Sequence, residues 1–585
     1  TYLRFATPAA AAAYAQRLPS FLDRRAKEIG KDPSKNMSVT LLPLADVHLA
    51  PPGSKLTVTT LGLVGLLTLL IAVINYVNLA TARAGLRSRE VAMRKVLGGS
   101  RAVLIRQFLG EAIATAGAAA LFGLALAELA LPVVNAAGGT ALSIDYLTSV
   151  PLLVGIALLV GVGAGLYPAM VLSRFPAASV LASARTPGGG RTGAKLREGL
   201  VIAQFALAIA FLIGTGVLFA QTAHVRNTDL GFRREGMIIV PGLELRDLSD
   251  AQRAAIMTAY RALPMTVSAT IADTAPADTS YQNSSTMYRP GQNASTAPSI
   301  TQITTGTDWF ATYGARLVAG RLLDTRHRSD DVGLGRLNVA NVVINRSAVT
   351  ALGFASPQAA LGQTVLVGDV GDTTYPRTVV GVIDDLRFYS PRKKVGGWMY
   401  EYQSTPFVST VATVRYRGDQ QAALNALRDT WHQLAPQVPF SAKTIDQNLA
   451  PYYKADDHAA RLFAIGAVLA VLIGCVGLWG LASFNTQRRI KEVGIRKTLG
   501  ASSSDIVKLL VGQFLRPVLI ANVVAWPLAF FAMRTWLAGF DDRIALSPLY
   551  FVAATLVALT IALFTVLAQS LRAARATPAW ALRHE

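Results

Sequence analysis

The sequence predicts an α-helical integral membrane protein with seven visible spans, arranged as two tandem parallel repeats, and an α+β domain inserted between them. The 585-residue chain is 52% hydrophobic and only 16% charged, and its mean hydropathy is positive. The apolar residues form stretches long enough to cross a bilayer about 30 Å thick. In addition, the segment EVAMRKVLGGS at 90–100 recurs as EVGIRKTLGAS at 492–502, at an offset of 402 residues.

Five nearly uncharged stretches are predicted to be membrane spans. They are 57–82, 148–173, 199–221, 459–484 and 546–571. Two further stretches, 103–134 and 506–538, are also predicted to be spans although they contain Glu111, Glu128, Arg516 and Arg534. Ionisable groups within a bilayer are costly and are often functional, so these four leave an ion-coupled secondary transporter as an alternative function.

The net charge of +21 is concentrated beside the spans. Lysine and arginine exceed acidic residues in 83–106, 174–198, 488–508 and the tail 572–585. An excess of these residues beside spans marks the cytoplasmic side, so the short loops near Asp145 and Asp541–Asp542 are predicted to lie outside, together with 223–457. The C-terminus is then cytoplasmic. This distribution argues against a nucleic-acid-binding protein.

The repeat extends over whole membrane units, because Pro176–Ala177 matches Pro578–Ala579 at the same offset. Since both basic segments share one face, the repeats are parallel. We predict six regions in chain order: 1–55, the C-terminal remnant of a first external domain; 56–185, the first repeat; 186–198, a cytoplasmic linker; 199–222, a span leading outward; 223–457, the external domain; and 458–585, the second repeat. The chain begins at Thr1 without a signal peptide, so we expect an N-terminal truncation that removes one span and most of a first external domain.

The external domain alternates predicted strands and helices, which indicates an α+β fold. Strands are predicted at 236–242, 299–305, 341–345, 363–368, 377–383 and 407–416, and helices at 249–263 and 419–434. The polar run 273–298 is predicted to be a mobile loop.

The duplicated segment is predicted to be a short amphipathic helix on the cytoplasmic surface. Glu90 and Arg94 form an i, i+4 pair in the first copy, as do Glu492 and Arg496 in the second. Glycine then ends each helix, and Ser100 or Ser502 can cap the helix that follows. Binding to anionic headgroups would explain the basic residues alone. The recurrence of Glu, Gly and Ser at identical spacing favours a surface that fits a protein partner twice.

These segments, with NLATARA at 78–84 and YPAMVLSRFPAASVL at 167–181, resemble the MacB/FtsX-type permeases of ATP-binding-cassette transporters, in particular the subgroup with two fused permease halves. Within the external domain, WFATYGARLVAGRLL at 309–323 and TVVGVIDDLRF at 378–388 are similar to that family's periplasmic core domain. LLPLADVHL at 41–49 is similar to the end of such a domain.

The resemblance implies a bacterial inner-membrane protein whose segments 87–101 and 488–503 are coupling helices. They would dock on two copies of a cytoplasmic ATPase, and rigid helices would carry the motion to the periplasmic domain and drive export. The implied coupling residues are Glu90, Val91, Met93, Arg94, Lys95, Leu97 and Gly98 in the first copy, and Glu492, Val493, Ile495, Arg496, Lys497, Leu499 and Gly500 in the second. A periplasmic adaptor is a further implied partner. The alternative within the family is an ATP-gated regulator of a periplasmic protein. Ala92-Met93 stands where the second copy has Gly494-Ile495, so the two sites are expected to be similar rather than equivalent.

The residues indicate a non-catalytic subunit with no metal or cofactor of its own, so ATP and Mg²⁺ would bind the partner. The segment GGGRTGAK at 188–195 departs from a phosphate-binding loop, because Ala194 precedes Lys195 and Leu196 replaces the hydroxyl residue. The six histidines are scattered, and the adjacent carboxylates Asp384–Asp385 and Asp456–Asp457 are expected to be solvated. Cys475 is the only cysteine and excludes an intrachain disulfide.

Overall fold

The computed structural model describes residues 2–25, 34, 39–49, 54–84, 87–138, 142–173, 191–244, 248–278, 283–333, 340–368, 374–390, 392–405 and 411–575. The chain divides into two compact units. The extramembrane unit comprises 1–55, 222–457 and 538–543, and the membrane unit comprises 56–221, 458–537 and 544–585.

The helices are α1 Pro8–Arg25, α2 Ser54–Ala84, α3 Ser88–Val96, α4 Arg101–Gly138, α5 Tyr146–Ser173, α6 Arg191–Asn227, α7 Asp250–Ala262, α8 Trp309–Tyr313, α9 Arg346–Ala351, α10 Pro357–Ala360, α11 Gln420–Leu434, α12 Ile445–Arg488, α13 Ile490–Thr498, α14 Ser503–Leu537 and α15 Pro548–Arg575. Short 3₁₀ turns occupy Leu44–Leu49, Ala294–Thr296 and Arg328–Asp330. Within the described residues, seven helices are long and apolar enough to cross a membrane, namely α2, α4, α5, α6, α12, α14 and α15. The prediction of seven spans is confirmed.

The two repeats have the same local order, a short helix followed by two long ones that pack together. In the first repeat α3 leads to α4 and α5, and in the second α13 leads to α14 and α15. The core beside α14 and α15 uses small residues, which let the helix backbones approach closely. Its members include Ala521, Ala525, Ala529, Ala554, Ala558 and Ala562.

Helix α6 is central to the membrane unit. In the most apolar stretch of α6, 56% of the residues are buried within the protein, whereas only 6% are buried in the corresponding stretch of α4. Ile209, Ile213 and Val217 of α6 are completely buried. Helices α2 and α12 also touch, because a Cβ added at Gly477 would lie 2.1 Å from Oδ1 of Asn75. A side chain at position 477 would therefore require the Asn75 side chain to move.

The extramembrane unit is an α+β domain, as predicted. Its strands are β1 Met237–Val240, β2 Thr266–Ala272, β3 Asn283–Tyr288, β4 Ser299–Thr305, β5 Leu317–Gly320, β6 Ala340–Asn345, β7 Thr364–Gly368, β8 Thr374–Ile383, β9 Trp398–Tyr402, β10 Val411–Tyr416 and β11 Lys443–Thr444. They form one sheet in the order β11-β1-β10-β2-β4-β3-β7-β8-β6-β9, with β5 paired to β8 and β4 also parallel to β9.

The sheet is covered at two places, which define two lobes with separate cores. In the first lobe, α7 and α11 bury Tyr260 and Trp431 against β1, β2 and β10. In the second lobe, α9 packs on β6 to β9. The α7 helix begins with a capping box, since Ser249 and Gln252 satisfy each other's backbone donors. The spacing of apolar residues and the N-terminal caps therefore account for α7 and α11, the two helices of the first lobe.

The prediction of a loop over 273–298 is wrong in part, because β3 lies within it. This strand is polar at Asn283, Ser284 and Ser285, and that composition obscures the strand pattern. It is held by pairing on both sides, with β4 and with β7, and it buries Met287 and Tyr288. Tertiary pairing therefore overrides local propensity here.

Asp273 lies where the two lobes join. The β2–β4 pairing contains a single register pair, Ala272 with Thr305. Asp273 extends it: its N–H donates to the carbonyl oxygen of Thr304 at 3.1 Å, and its Oδ2 accepts from the N–H of Thr304 at 3.0 Å. The residue is 4% exposed, and among the described residues no group hydrogen-bonds its Oδ1. Burial raises the pKa of Asp273 to about 7.

We expect Asp273 to make the extramembrane domain less stable as pH rises from about 4 to about 7. The carboxyl is protonated in the folded domain over this interval and ionised in the unfolded chain, so the folded state binds more protons and loses stability with rising pH. The rise of the Asp273 pKa from 3.8 to about 7 corresponds to about 4 kcal/mol. Asp273→Asn keeps an oxygen for the N–H of Thr304 and should flatten this dependence. Hydrogen exchange of β2 and β4 at pH 5 and pH 8 measures it, with the exposed Asp250→Asn as control. Equal pH dependence in Asp273→Asn and in the unaltered chain would refute it.

Candidate functional site

The first duplicated helix, α3, carries an ion network centred on Glu90. Arg94 contacts Glu90 at 2.9 Å and Arg87 contacts it at 3.1 Å. Arg87 also reaches Glu111 of α4 at 2.7 Å, and its guanidinium lies 4.7 Å from the ring centre of Phe108. The hydrogen bonds to Glu111 and Glu90 raise the pKa of Arg87 above its usual range. The network fixes the start of α3 against the following span.

The second duplicated helix, α13, repeats this arrangement. Arg496 contacts Glu492 at 2.8 Å, and Arg489 contacts it at 3.8 Å. Arg489 donates to Oε1 of Gln513 at 3.1 Å, a pairing with the same 24-residue separation as Arg87 with Glu111. A neutral amide therefore stands where the first repeat has a carboxylate, so the two sites are similar but not equivalent.

One apolar side of each helix anchors it to the membrane helices. Val91 is fully buried among residues of α4 and α5, and Val493 is 5% exposed among residues of α14 and α15. Both were predicted to belong to the coupling surface. Because their side chains are covered by the protein itself, they support the helix instead of offering contact area.

The opposite side of each helix presents apolar residues outward. Met93 is 59% exposed and Leu97 is 84% exposed in the first copy. In the second copy Ile495 is 51% exposed and Leu499 is 82% exposed. Each pair has i, i+4 spacing and so forms one patch on the helix surface. We call these two pairs the exposed apolar pairs.

The helix ends are fixed by glycine and lysine. Gly98 has φ of +89° and Gly500 has φ of +95°, a conformation that L side chains rarely adopt. Lys95 donates to the carbonyl oxygen of Ser173 at 2.7 Å, and Lys497 donates to that of Ala574. These predicted coupling lysines therefore tie each short helix to the end of the third helix of its repeat, where a cation is favoured by the helix dipole.

The structure also places the ionisable residues predicted within spans. Glu111 is engaged by Arg87 and by Gln107, so it belongs to the ion network of α3. Arg516 lines a cavity in the membrane unit. Glu128 and Arg534 are exposed at the surface of the protein.

A second ion network, which we call the outer-loop clamp, involves Phe540, Asp541 and Asp542, between α14 and α15. Asp541 contacts Arg387 at 3.1 Å, and Asp542 contacts His224 at 2.8 Å and Thr228 at 2.9 Å. Burial acts to raise the pKa of Asp542, but hydrogen bonds from His224 and Thr228 outweigh it and lower the pKa. In the sequence these aspartates indicate only a loop on the outside, and no local pattern points to their partners.

The guanidinium of Arg392 stacks on Phe540 in the same network, 4.0 Å from the ring centre, and also binds Asp456. Asp456 is 6% exposed, so the expectation that it is solvated is wrong. Asp385 binds Ser347, and Asp384 binds Arg346, so that pair is structural as well.

Asp324, His327 and Asp330 lie close enough together to hold a cation. Asp330 is already bound by Arg321 at 2.6 Å, and Asp324 by Arg326 at 2.8 Å. The arginines therefore supply the positive charge of this cluster.

Comparison with known proteins finds one permease family in both repeats. The FtsX-like permease C-terminal family matches residues 62–177 and 464–578, one match in each repeat. The chain is 27% identical over 239 residues to the macrolide export ATP-binding/permease protein MacB of Agrobacterium fabrum, covering 38% of this chain and 34% of that protein. It is 26% identical over 408 residues to MacB 1/2 of Paracoccus denitrificans, covering 66% of this chain and 56% of that protein.

Among solved structures, the periplasmic region of MacB from Actinobacillus actinomycetemcomitans matches 37% of this chain and 91% of its own chain. The identity is 17% and the TM-score is 0.26. The chain spans about a third to about half of the length of the curated relatives described above.

Proposed function

We propose that the chain is the permease subunit of an ATP-driven exporter, because the FtsX-like permease family matches each repeat and the chain is similar to MacB-type transporters. In this proposal it is non-catalytic, and ATP is hydrolysed by a separate cytoplasmic ATPase. The membrane is the bacterial inner membrane, with the extramembrane unit in the periplasm and the C-terminus in the cytoplasm. The MacB relatives are named as ATP-binding/permease proteins, and this chain matches only part of each of these relatives.

One observation carries the proposal: two helices with corresponding Glu–Arg ion pairs each present an exposed apolar pair. Leu97 and Leu499 are more than four-fifths exposed, although each lies on a helix whose other side is packed against spans. Burying one leucine side chain on a partner contributes about 1.5–3 kcal/mol. Two such sites on one chain fit two copies of one ATPase.

Motion at these helices has a direct route through the membrane unit. Val91 packs α3 on α4 and α5, and Val493 packs α13 on α14 and α15, so a force on either short helix acts on two spans. Helix α12 continues without a break for 44 residues from Ile445 to Arg488. We propose that such stiff helices carry the movement outward and that export follows from it, a mechanotransmission mode.

Placement across the membrane tests the proposal first. In a Cys475→Ser background, single cysteines replace Leu97, Leu499 and, as a control in the extramembrane unit, Val267, which is 52% exposed. A membrane-impermeant thiol reagent added to spheroplasts should label position 267 and leave positions 97 and 499 unlabelled. Labelling of 97 and 499 from outside would remove the coupling assignment.

Photo-crosslinking at the same three positions tests the partner. A cytoplasmic ATPase should be captured at 97 and 499 and not at 267. ATP-dependent efflux from reconstituted vesicles should then depend on that ATPase. Capture of a periplasmic protein at 267, without efflux, would instead support the regulator that the family resemblance also allows.

A further inference from the structure

A cavity of about 660 Å³ opens in the membrane unit beside the start of α13. Arg197 of α6, Arg489 before α13 and Arg516 of α14 line it, together with Glu198. Leu478, Leu481 and Leu509 provide its apolar wall. The site therefore combines three guanidinium groups, one carboxylate and a hydrocarbon surface.

This combination fits an amphiphile with a negatively charged head. Arginine presents a planar fork of donors that matches the oxygens of a phosphate. Basic pockets between membrane helices on the cytoplasmic side are suited to anionic lipid headgroups. Of the three leucines, Leu509 is 39% exposed, and free phosphate would satisfy the arginines but leave this side chain in contact with water.

The first repeat provides an internal comparison. Glu111 stands at the position equivalent to Gln513, and Ala114 at the position equivalent to Arg516. Arg87 therefore meets a carboxylate at this position, whereas Arg489, which lies 3.8 Å from Glu492, meets a neutral amide. The second repeat has an arginine where the first has alanine and an amide where the first has a carboxylate, so these two positions are more positively charged in the second repeat.

We propose that this cavity binds one anionic phospholipid of the surrounding membrane. The headgroup phosphate lies between Arg489 and Arg516, and an acyl chain packs against the exposed Leu509. Because Arg489 directly precedes α13, the bound lipid stabilises the position of that helix and not of α3. The inference is independent of the identity of any ATPase.

Native mass spectrometry of the purified full chain with phosphatidylglycerol and phosphatidylcholine tests the proposal. One phosphatidylglycerol should bind more tightly than phosphatidylcholine, and millimolar inorganic phosphate should not displace it. Arg516→Ala should weaken phosphatidylglycerol binding about fivefold, the effect of one basic residue at an anionic lipid. Arg534→Ala, an arginine elsewhere on the same helix, should leave binding within about twofold.

Gln513→Glu, which restores the residue type of the first repeat, provides a second variant that retains the side chain's shape. It should also weaken phosphatidylglycerol binding while the thermal unfolding of the chain stays unchanged. Equal affinity for the two lipids, displacement by phosphate alone, or equal losses in Arg516→Ala and Arg534→Ala would overturn the proposal.

Discussion

Replacing Leu97 and Leu499 together with aspartate should abolish retention of the ATPase when the chain is purified. The two side chains are 84% and 82% exposed, so the fold does not depend on them. At a docked interface each aspartate would instead be buried without a partner charge. Loss of one central apolar contact typically costs 2 kcal/mol or more, about thirtyfold in affinity.

Because the chain has two such sites, each single variant is expected to retain part of the ATPase and the double variant none. Co-purification and ATPase activity of the complex measure this. Val267→Asp introduces the same charge at an exposed position of the extramembrane unit and should behave as the unaltered chain does. Full retention in the double variant, with unchanged thermal unfolding, would contradict a docking role for the exposed apolar pairs.

Membrane architecture was largely predictable from the sequence because hydropathy acts over long stretches. The predicted span 459–484 lies within α12, yet that helix begins at Ile445. Residues 445–458 contain three aspartates, a lysine and Pro451, so neither hydropathy nor propensity indicates that the helix extends over them. Sequence patterns do not predict a helix end that depends on the surrounding structure.

The candidate site was predictable only where its contacts are local. The Glu90–Arg94 and Glu492–Arg496 pairs follow from i, i+4 spacing and are present in the structure. The sequence does not indicate which side of each helix is buried, because Val91 and Met93 are both apolar. That distinction, like the contact of Lys95 with Ser173, depends on how α3 packs on α4 and α5.

Replacing Asp541 and Asp542 together with alanine should separate ATP hydrolysis from transport. Asp541 holds Arg387, and Asp542 holds His224 and Thr228, all within the extramembrane unit. Since segment 538–543 continues directly into α14 and α15, we expect the outer-loop clamp to be where the second repeat pulls on the extramembrane domain. Each lost charged hydrogen bond costs about 1.5–3 kcal/mol, so the clamped population should fall at least tenfold.

Phe540 would remain in the double-alanine variant, 4% exposed and under the guanidinium of Arg392, so the loop keeps an apolar anchor and the fold should persist. In reconstituted vesicles we expect near-normal ATP hydrolysis by the complex with efflux reduced about tenfold. Asp250→Ala removes an aspartate that pairs with Arg253 on the exposed surface of α7 and is the matched control. Hydrogen exchange over 538–543 should rise in the double variant alone. If efflux and hydrolysis fell in parallel, or if exchange in the loop rose while efflux stayed normal, the clamp would not be the point of force transfer.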